Sequence, residues 1–346
     1  MNHQIENLQM NDDAAALQQA HQPAPPASPM RNVFLGDEGL RAGWSILIFA
    51  ALFAAYLFVA GSIVRKLHPP THHSSADHSF SFFVMFANEA VPLIGVLLVT
   101  WIMSKIERRP AGVYGLGGIR KLPRFVAGLA WGLICLTPLI LILWKFGFLV
   151  FDSRLLFGAD ILRYGAEWIA VFLAVGLLEE YFTRGYLQYT LTRGLDGLYR
   201  WVFKTPHSKA LAFWTSAIIF SVLFGLVHGS NPGESPIGLL TAGLASMMFC
   251  LALWRTGSLW WAIGFHTSWD WAQSFLYGVG DSGILVQHRL LATHPVGRAL
   301  LSGGTTGPEG SIFIVPIVVL IVAVILLTLP RTNAGYTPLA EQRIES

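Results

Sequence analysis

Glu179 and Glu180 stand side by side in the apolar stretch VFLAVGLLEEYFTRGYLQYTL, with Arg184 four residues beyond the second glutamate. A charged side chain in the middle of a membrane helix costs about 2.5–3.5 kcal/mol, so its default reading is functional. On a helix, residues four apart share a face and neighbours point about 100° apart. Glu180 is thereby expected to pair with Arg184, carboxylate N-terminal to cation, which is the favourable order. Glu179 points elsewhere, to the face of Val175, Gly176, Thr183 and Tyr186, and stays free to act as a base or a ligand. If the helix ended here at a membrane interface, the charges would simply be solvated. The apolar run GYLQYTL beyond them weighs against that.

Further polar residues sit in apolar surroundings. His228 closes the run FSVLFGLVHGSNPGES, and His266 lies within WWAIGFHTSWDWAQSF with Asp270 four residues on, on the same face. Taken singly, a histidine at a helix end reads as an interfacial or capping residue, and a His–Asp pair as a structural hydrogen bond. Together, Glu179, His228, His266 and Asp270 come from three separate apolar segments, and polar groups in lipid seek one another. One carboxylate and two imidazoles suit the activation of a water. Glu and His could act directly as general base, or Glu179, His228 and His266 could hold a zinc ion with one position open for water. The sequence contains no HExxH, and no Ser–Lys or Gly-x-Ser-x-Gly arrangement stands out. A two-aspartate mechanism would need a partner for Asp270.

The elements that position these residues follow from composition. The chain has 346 residues, 53% hydrophobic and 12% charged, with 12 Trp and 23 Phe; a soluble domain carries about 25% charged residues. This is the composition of a polytopic, all-α membrane bundle, and its net charge of +3 is no sign of nucleic-acid binding. A span needs about 20 mostly apolar residues. Eight segments qualify, at 44–64, 80–103, 125–150, 166–187, 210–228, 237–254, 258–277 and 312–330. Arg255, Thr256 and Gly257 alone join the sixth to the seventh, which suggests a tight helical hairpin. Basic residues crowd the 104–124 connection (Lys105, Arg108, Arg109, Arg120, Lys121, Arg124) and the 184–209 region. The positive-inside rule then makes both cytoplasmic and puts both termini inside. Residues 188–209 read as an amphipathic stretch along the inner surface, and SGGTTGPEG within 278–311 reads as a loop.

Residues 1–40 are polar and include the Gln/Ala/Pro-rich QQAHQPAPPASP, without the basic start and apolar core of a signal peptide. They are expected to be a disordered cytoplasmic tail, as is 331–346, with the membrane domain over 41–330 and its catalytic core at 166–277. Cys135 and Cys250 read as small buried hydrophobes. Glu89, beside Asn88 in the second span, could join the site or make an interhelical hydrogen bond. Glu234 could reach the pocket. The run HPPTHHSSADH (His68, His72, His73, His78) reads as a solvated loop, and Lys145 as a snorkelling side chain.

Three of these segments together resemble a known family. EEYFTR (Glu179–Arg184) fits EExxxR, FGLVH (Phe224–His228) fits FxxxH, and HTSWD (His266–Asp270) fits the looser forms of HxxxN. In order and placement, on the fourth, fifth and seventh spans, they resemble the CPBP (CAAX protease and bacteriocin-processing, or Abi) intramembrane proteases, distantly similar to the Rce1-type CAAX prenyl endopeptidases. The motifs cover about 170–275; beyond them the likeness is one of span count. The resemblance implies a multi-pass protein of a bacterial plasma membrane that cleaves a membrane protein or lipidated peptide within the bilayer. Glu179 would activate the water, and His228 would hold that water or a metal. Glu180 and Arg184, with Phe224, would give structural support, and His266 and position 270 would stabilise the oxyanion. Zinc and a metal-free glutamate mechanism both stay open. Asp270 departs from the family's Asn. An ionised aspartate would repel an oxyanion, so it must be protonated, orient His266, or bind metal. The alternatives to a protease are a non-catalytic immunity or scaffold protein of the same fold, and a transporter with Glu179 and Glu89 as a proton relay.

Overall fold

The computed structural model of the chain describes residues 33–36, 39–67 and 79–330. Of the tail expected to be disordered over 1–40, residues 1–32, 37 and 38 lie outside the described residues, as do 331–346 and the histidine run from His68 to His78. Within the N-terminal unit, which ends at Arg41, strand β1 (Leu35–Gly36) pairs antiparallel with β2 (Gly39–Leu40).

From Ala42 onward the chain is built of helices: α1 (Ala42–Leu67), α2 (Phe82–Ile106), α3 (Lys121–Lys145), α4 (Ala159–Glu179), α5 (Gln188–Phe203), α6 (Ser208–Val227), α7 (Pro236–Thr256), α8 (Trp260–Trp271) and α9 (Ile314–Thr328). The protein is an all-α polytopic bundle, as its composition requires. Among the described residues, six helices are long and apolar enough to cross a membrane, against eight spans expected. The shortfall lies in the seventh and eighth. Helix α8 has 12 residues before the backbone widens into a π turn over Ala272–Leu276, in a stretch carrying His266, Asp270, Gln273 and Ser274. Helix α9 is apolar throughout but 15 residues long. The turn between α7 and α8 is short, closed by Gly257 in the left-handed region (φ 63°), whose N–H bonds the carbonyl of Leu253.

The fourth span does not stop where the sequence suggested. Helix α4, a π-helical stretch at Glu180–Leu187 and α5 form one run of 45 residues, Ala159–Phe203. The amphipathic stretch is real, with Trp201 and Phe203 exposed. It continues the span, and Gln188, Thr190, Thr192 and Asp196 on its other face are buried, where α5 packs against α6 and α1. Near its start, Tyr186 and Tyr114 both donate to the buried Glu107 carboxylate, at 3.1 and 2.8 Å.

Helix α8 is the element the others hold. Gly128 and Gly132, one turn apart on α3, face the carbonyls of Trp261 and Phe265, and Gly264 faces the carbonyl of Phe125; a Cβ at any of the three would overlap that backbone. Lipid offers no hydrophobic drive between helices, so close backbone approach through small residues supplies the packing. On its other side α8 meets α4, where Gly176 lies against Ile263 and Thr267 and the Trp271 indole donates to the carbonyl of Gly165 at 2.9 Å. The main apolar core, including Leu136, Leu139, Trp261, Phe265, Ile317 and Ile321, fills the space among α3, α7, α8 and α9.

The 278–311 connection is a structured cover. Its strand β5 (Leu285–Val286) runs parallel to β3 (Ser79–Phe80), and its β6 (Leu291–Pro295) runs antiparallel to β4 (Leu149–Arg154). The SGGTTGPEG segment is a loop as expected, but most of it is buried, and the Thr305 hydroxyl donates to the carbonyl of Gly233 at 2.7 Å. The turn after α6 and the connection after α8 are thereby tied at the same end of the bundle.

Candidate active site

The π-helical stretch begins at the second glutamate. π turns are rare and concentrate at functional sites; here one follows Glu179, and another follows α8 just after Asp270. Glu180 and Arg184 are fully buried, with Arg184 Nη1 2.6 Å from Glu180 Oε1. The Arg184 guanidinium lies between two aromatic faces, 4.7 Å from the Phe224 ring and 5.4 Å from that of Phe249, a placement that favours a desolvated cation. Phe224 is expected support; Phe249 was not foreseen.

Glu180 does more than brace a helix. The oxygen that accepts from Arg184 also meets His266 Nδ1 at 3.1 Å. The other ring nitrogen, Nε2, lies 3.4 Å from Asp270 Oδ2 and 3.7 Å from Glu179 Oε2. The His266 ring therefore has carboxylate oxygens at both ends, and both nitrogens can donate to them only in the imidazolium form. Of the readings open for Asp270, this geometry matches orientation of His266. Both glutamates keep a buried Oε2 without a hydrogen-bond partner. Glu179 differs in that, among the described residues, no hydrogen bond reaches its other oxygen either, whereas Glu180 Oε1 is taken by Arg184 and His266.

His228 opens a 3₁₀ turn at the end of α6, and its Nδ1 lies 2.8 Å from the carbonyl of Phe224, one turn back. That bond assigns the Nδ1–H tautomer and leaves Nε2 with a lone pair. The Phe224 ring lies 4.6 Å from the imidazole, so one phenylalanine contacts Arg184 with its ring and fixes His228 with its carbonyl. His228 ends its helix, yet His266 lies halfway along α8. The two nonetheless line one cavity.

The cavity has about 90 Å³ of room, enough for several waters. Its polar end is lined by His228, His266, Asp270, Asp281, Ser282 and Glu309, and its apolar end by residues of α7 and α9 such as Ala245 and Ile321. The structure thus brings Glu179, Glu180, Arg184, His266 and Asp270 into direct contact and places His228 at the same cavity. Among the described residues, no hydrogen bond or ion pair joins His228 to Glu179 or His266, and no group of three His, Cys, Asp or Glu is gathered to hold a metal ion. His266 Nε2 is turned to carboxylates, whereas a zinc ligand would aim it at the ion from about 2.0–2.1 Å. The three residues expected as zinc ligands do not fit a zinc site in this arrangement.

Sequence reasoning missed Asp281, Glu309 and Gln273. Gln273 Nε2 donates to Glu309 Oε2 at 2.5 Å and reaches Asp281 Oδ1 at 3.4 Å. Burial pushes the Asp281 carboxyl up to about 7. Glu309 is pushed well above the usual carboxylate range, first by burial and then by Asp281. The one signal in the sequence was a pair of acids inside a glycine-rich connection. Of the lesser candidates, Glu89 lies within electrostatic reach of Glu179 and His266. The Glu234 carboxylate packs on Gly238, which lines the cavity. Cys135 and Cys250 are buried and unpaired.

Fold and site define a class: a helical membrane protein with carboxylates and imidazoles enclosed between its spans. Residues 161–272 match a family model described as "Rce1-like: Type II CAAX prenyl endopeptidase Rce1-like". The matched stretch runs from α4 to the first residue after α8 and contains Glu179, Glu180, Arg184, Phe224, His228, His266 and Asp270. The resemblance drawn from three short motifs therefore holds over the third of the chain that carries them. No curated protein and no solved structure matches.

Proposed function

We propose that this protein is a CAAX-protease-type intramembrane endopeptidase that activates its water with Glu179. One observation carries the reading. Of two adjacent glutamates, Glu180 has one oxygen held by both Arg184 and His266, while no hydrogen bond among the described residues reaches Glu179, whose buried Oε2 lies 3.7 Å from His266 Nε2. A carboxylate without a hydrogen bond, beside the imidazole that lines the cavity, is what a general base requires.

In this mechanism Glu179 takes a proton from a water in the cavity, and the lone pair on His228 Nε2 accepts the water's second O–H and orients it. The water oxygen attacks the scissile carbonyl. The imidazolium of His266, positioned by Glu180 and Asp270, places positive charge beside the developing oxyanion, the kind of preorganised term that is worth about 2.7–4 kcal/mol when one donor is lost. Asp270 acts through His266 and not on the oxyanion itself. The turn of His266 Nε2 towards Asp270 and Glu179 supports direct activation by the carboxylate over a shared zinc ion. The apolar end of the cavity suits a membrane protein or a lipid-modified peptide as substrate. The basic 104–124 and 184–209 regions support an orientation with both chain ends on the cytoplasmic side.

The test is cleavage of a fluorescence-quenched peptide carrying an S-farnesylated cysteine by purified protein in detergent. Wild type is expected to cleave it, and Glu179→Gln to lose activity by about 10² or more while eluting and melting like wild type. Full activity in a folded Glu179→Gln protein overturns the assignment of the base.

A further inference from the structure

Peptide hydrolysis needs a proton for the leaving amine as well as a base for the water. The base proposed above sits on α4. The 278–311 connection brings two carboxyl groups, Asp281 and Glu309, to the cavity lined by His266, the neighbour of that base. They share one donor, the Gln273 amide nitrogen. Two buried carboxyls on a shared donor do not both ionise readily, and the pair holds on to a proton.

Their hydrogen bonds separate them. Both oxygens of Glu309 are occupied at short range, Oε1 by the Ser282 N–H at 2.6 Å and Oε2 by Gln273 at 2.5 Å. Asp281 has only longer contacts, Ser274 Oγ at 3.2 Å and Gln273 at 3.4 Å. Its backbone is pinned by a reciprocal pair with Ile284, at 2.9 and 2.8 Å. Glu309 is thus the tethered partner, and Asp281 the carboxyl with acceptor and donor capacity to spare. The charged or titratable groups that act on Asp281 are Glu309, Asp270, His266, His228 and Glu179. Its elevated titration, to about 7, agrees with an acid that still carries its proton near neutrality.

We propose that Asp281 is the general acid of this site, delivering the proton that the leaving amine takes up as the peptide bond breaks. The inference rests on the endopeptidase reading above. Glu179 accepts one proton from the attacking water, and the hydroxide equivalent adds to the carbonyl carbon. As the tetrahedral adduct collapses, the C–N bond breaks and its electron pair goes to nitrogen, which takes the Asp281 proton. A carboxylic acid and an amine leave. The proton held by Glu179 returns through cavity water to Asp281, and the net reaction consumes one water.

The experiment compares an amide probe with its ester counterpart, a farnesylated quenched peptide and the same sequence with the scissile amide replaced by an ester. An alkoxide leaves with far less need of a proton than an amine does. Asp281→Asn is expected to lower kcat for the amide by about 10²–10³ while the ester falls less than about tenfold; Asp281→Glu, which keeps a carboxyl, is expected to recover most amide cleavage. Thermal melting and elution in detergent check the fold of each variant. Should Asp281→Asn not fold, Asp281→Glu against Glu309→Gln decides: the inference requires the amide-to-ester ratio to survive in the first and to fall far less in the second than a lost acid would cause. Equal loss on both probes, or full amide activity in Asp281→Asn, overturns the inference alone. A folded wild type that cleaves neither probe overturns the endopeptidase reading and this inference with it.

Discussion

His266 Nδ1 lies 3.1 Å from Glu180 Oε1, the same oxygen that Arg184 Nη1 reaches at 2.6 Å. One carboxylate thus couples the cation of its own helix to the imidazole of another. Glu180 and Arg184 are both fully buried, so neither charge has water to fall back on. Glu180→Ala leaves Arg184 uncompensated, and the expected loss is about 3–5 kcal/mol of stability, read as a lowered melting temperature in detergent. Glu180→Gln is expected to melt closer to wild type yet to lose activity, because its amide no longer holds His266 as an anion does.

Asp270 is the position where this chain departs from the resemblance that its motifs suggest. Its Oδ2 lies 3.4 Å from His266 Nε2, on the same face one turn on, which suits it to hold that ring in the mechanism proposed above. Asp270→Asn keeps the shape and an acceptor oxygen, and is expected to cost about tenfold in kcat; Asp270→Ala leaves the ring unsupported and is expected to cost about 10²-fold or more, with KM little changed in both. Steady-state kinetics on the farnesylated peptide separates the two. A large KM effect with kcat intact would assign Asp270 to substrate binding instead.

Zinc gives a clear contrast. Among the described residues no three His, Cys, Asp or Glu are gathered to hold an ion, and Nε2 of His266 is turned to two carboxylates. Purified active protein is expected to carry no stoichiometric zinc by elemental analysis, and a chelator is expected to leave the rate within about twofold; a true metal site would lose its activity with its ion. One zinc per chain, lost together with activity, would mean that these side chains regroup.

What could be read from the sequence, and what could not, divides along sequence distance. The Glu180–Arg184 pair, the His266–Asp270 pair and the Phe224–His228 relation are each one helical turn long, and helical periodicity alone places their members together. The resemblance rests on those local pairs and survives. The extent of the seventh span was misjudged because hydropathy cannot register a π turn at Ala272, which depends on how Gln273 and Ser274 find partners in the connection that follows. For the same reason the continuity of 188–203 with the fourth span left no trace in the sequence: its polar residues Gln188, Thr192 and Asp196 are buried against neighbouring helices. Asp281 and Glu309 were invisible because they reach the cavity through β5, β6 and the tie between Thr305 and Gly233. None of these leaves a periodic trace.

The α3–α8 seam makes a prediction about the scaffold. Gly132 allows the backbone of α8 to approach at Phe265, the residue before His266, and a Cβ there would overlap the Phe265 carbonyl and the Ser268 hydroxyl. Gly132→Leu is expected to push α8 outward, costing about 1–3 kcal/mol or more and shifting His266 from Glu180. Activity should fall further than the melting temperature alone would suggest. Leu141→Ala, at an exposed position of α3 away from this seam, serves as the control for α3.

The buried acid at 281 gives stability a pH dependence with a definite sign. Its folded carboxyl titrates near 7 because of burial, whereas an unfolded aspartate titrates at about 3.9. The folded state therefore binds a proton that the unfolded state has released throughout that window. Linkage then makes this group's contribution most favourable below about pH 4, and removes it as pH rises towards about 7. Wild type is expected to melt at a higher temperature at about pH 5 than at about pH 8, and Asp281→Asn, whose amide does not titrate, to show a smaller difference between the two. The comparison is made on the full chain in one detergent, with only the buffer changed. An unchanged or larger difference in Asp281→Asn would show that the proton resides elsewhere in the cluster, with Glu309 the first place to look.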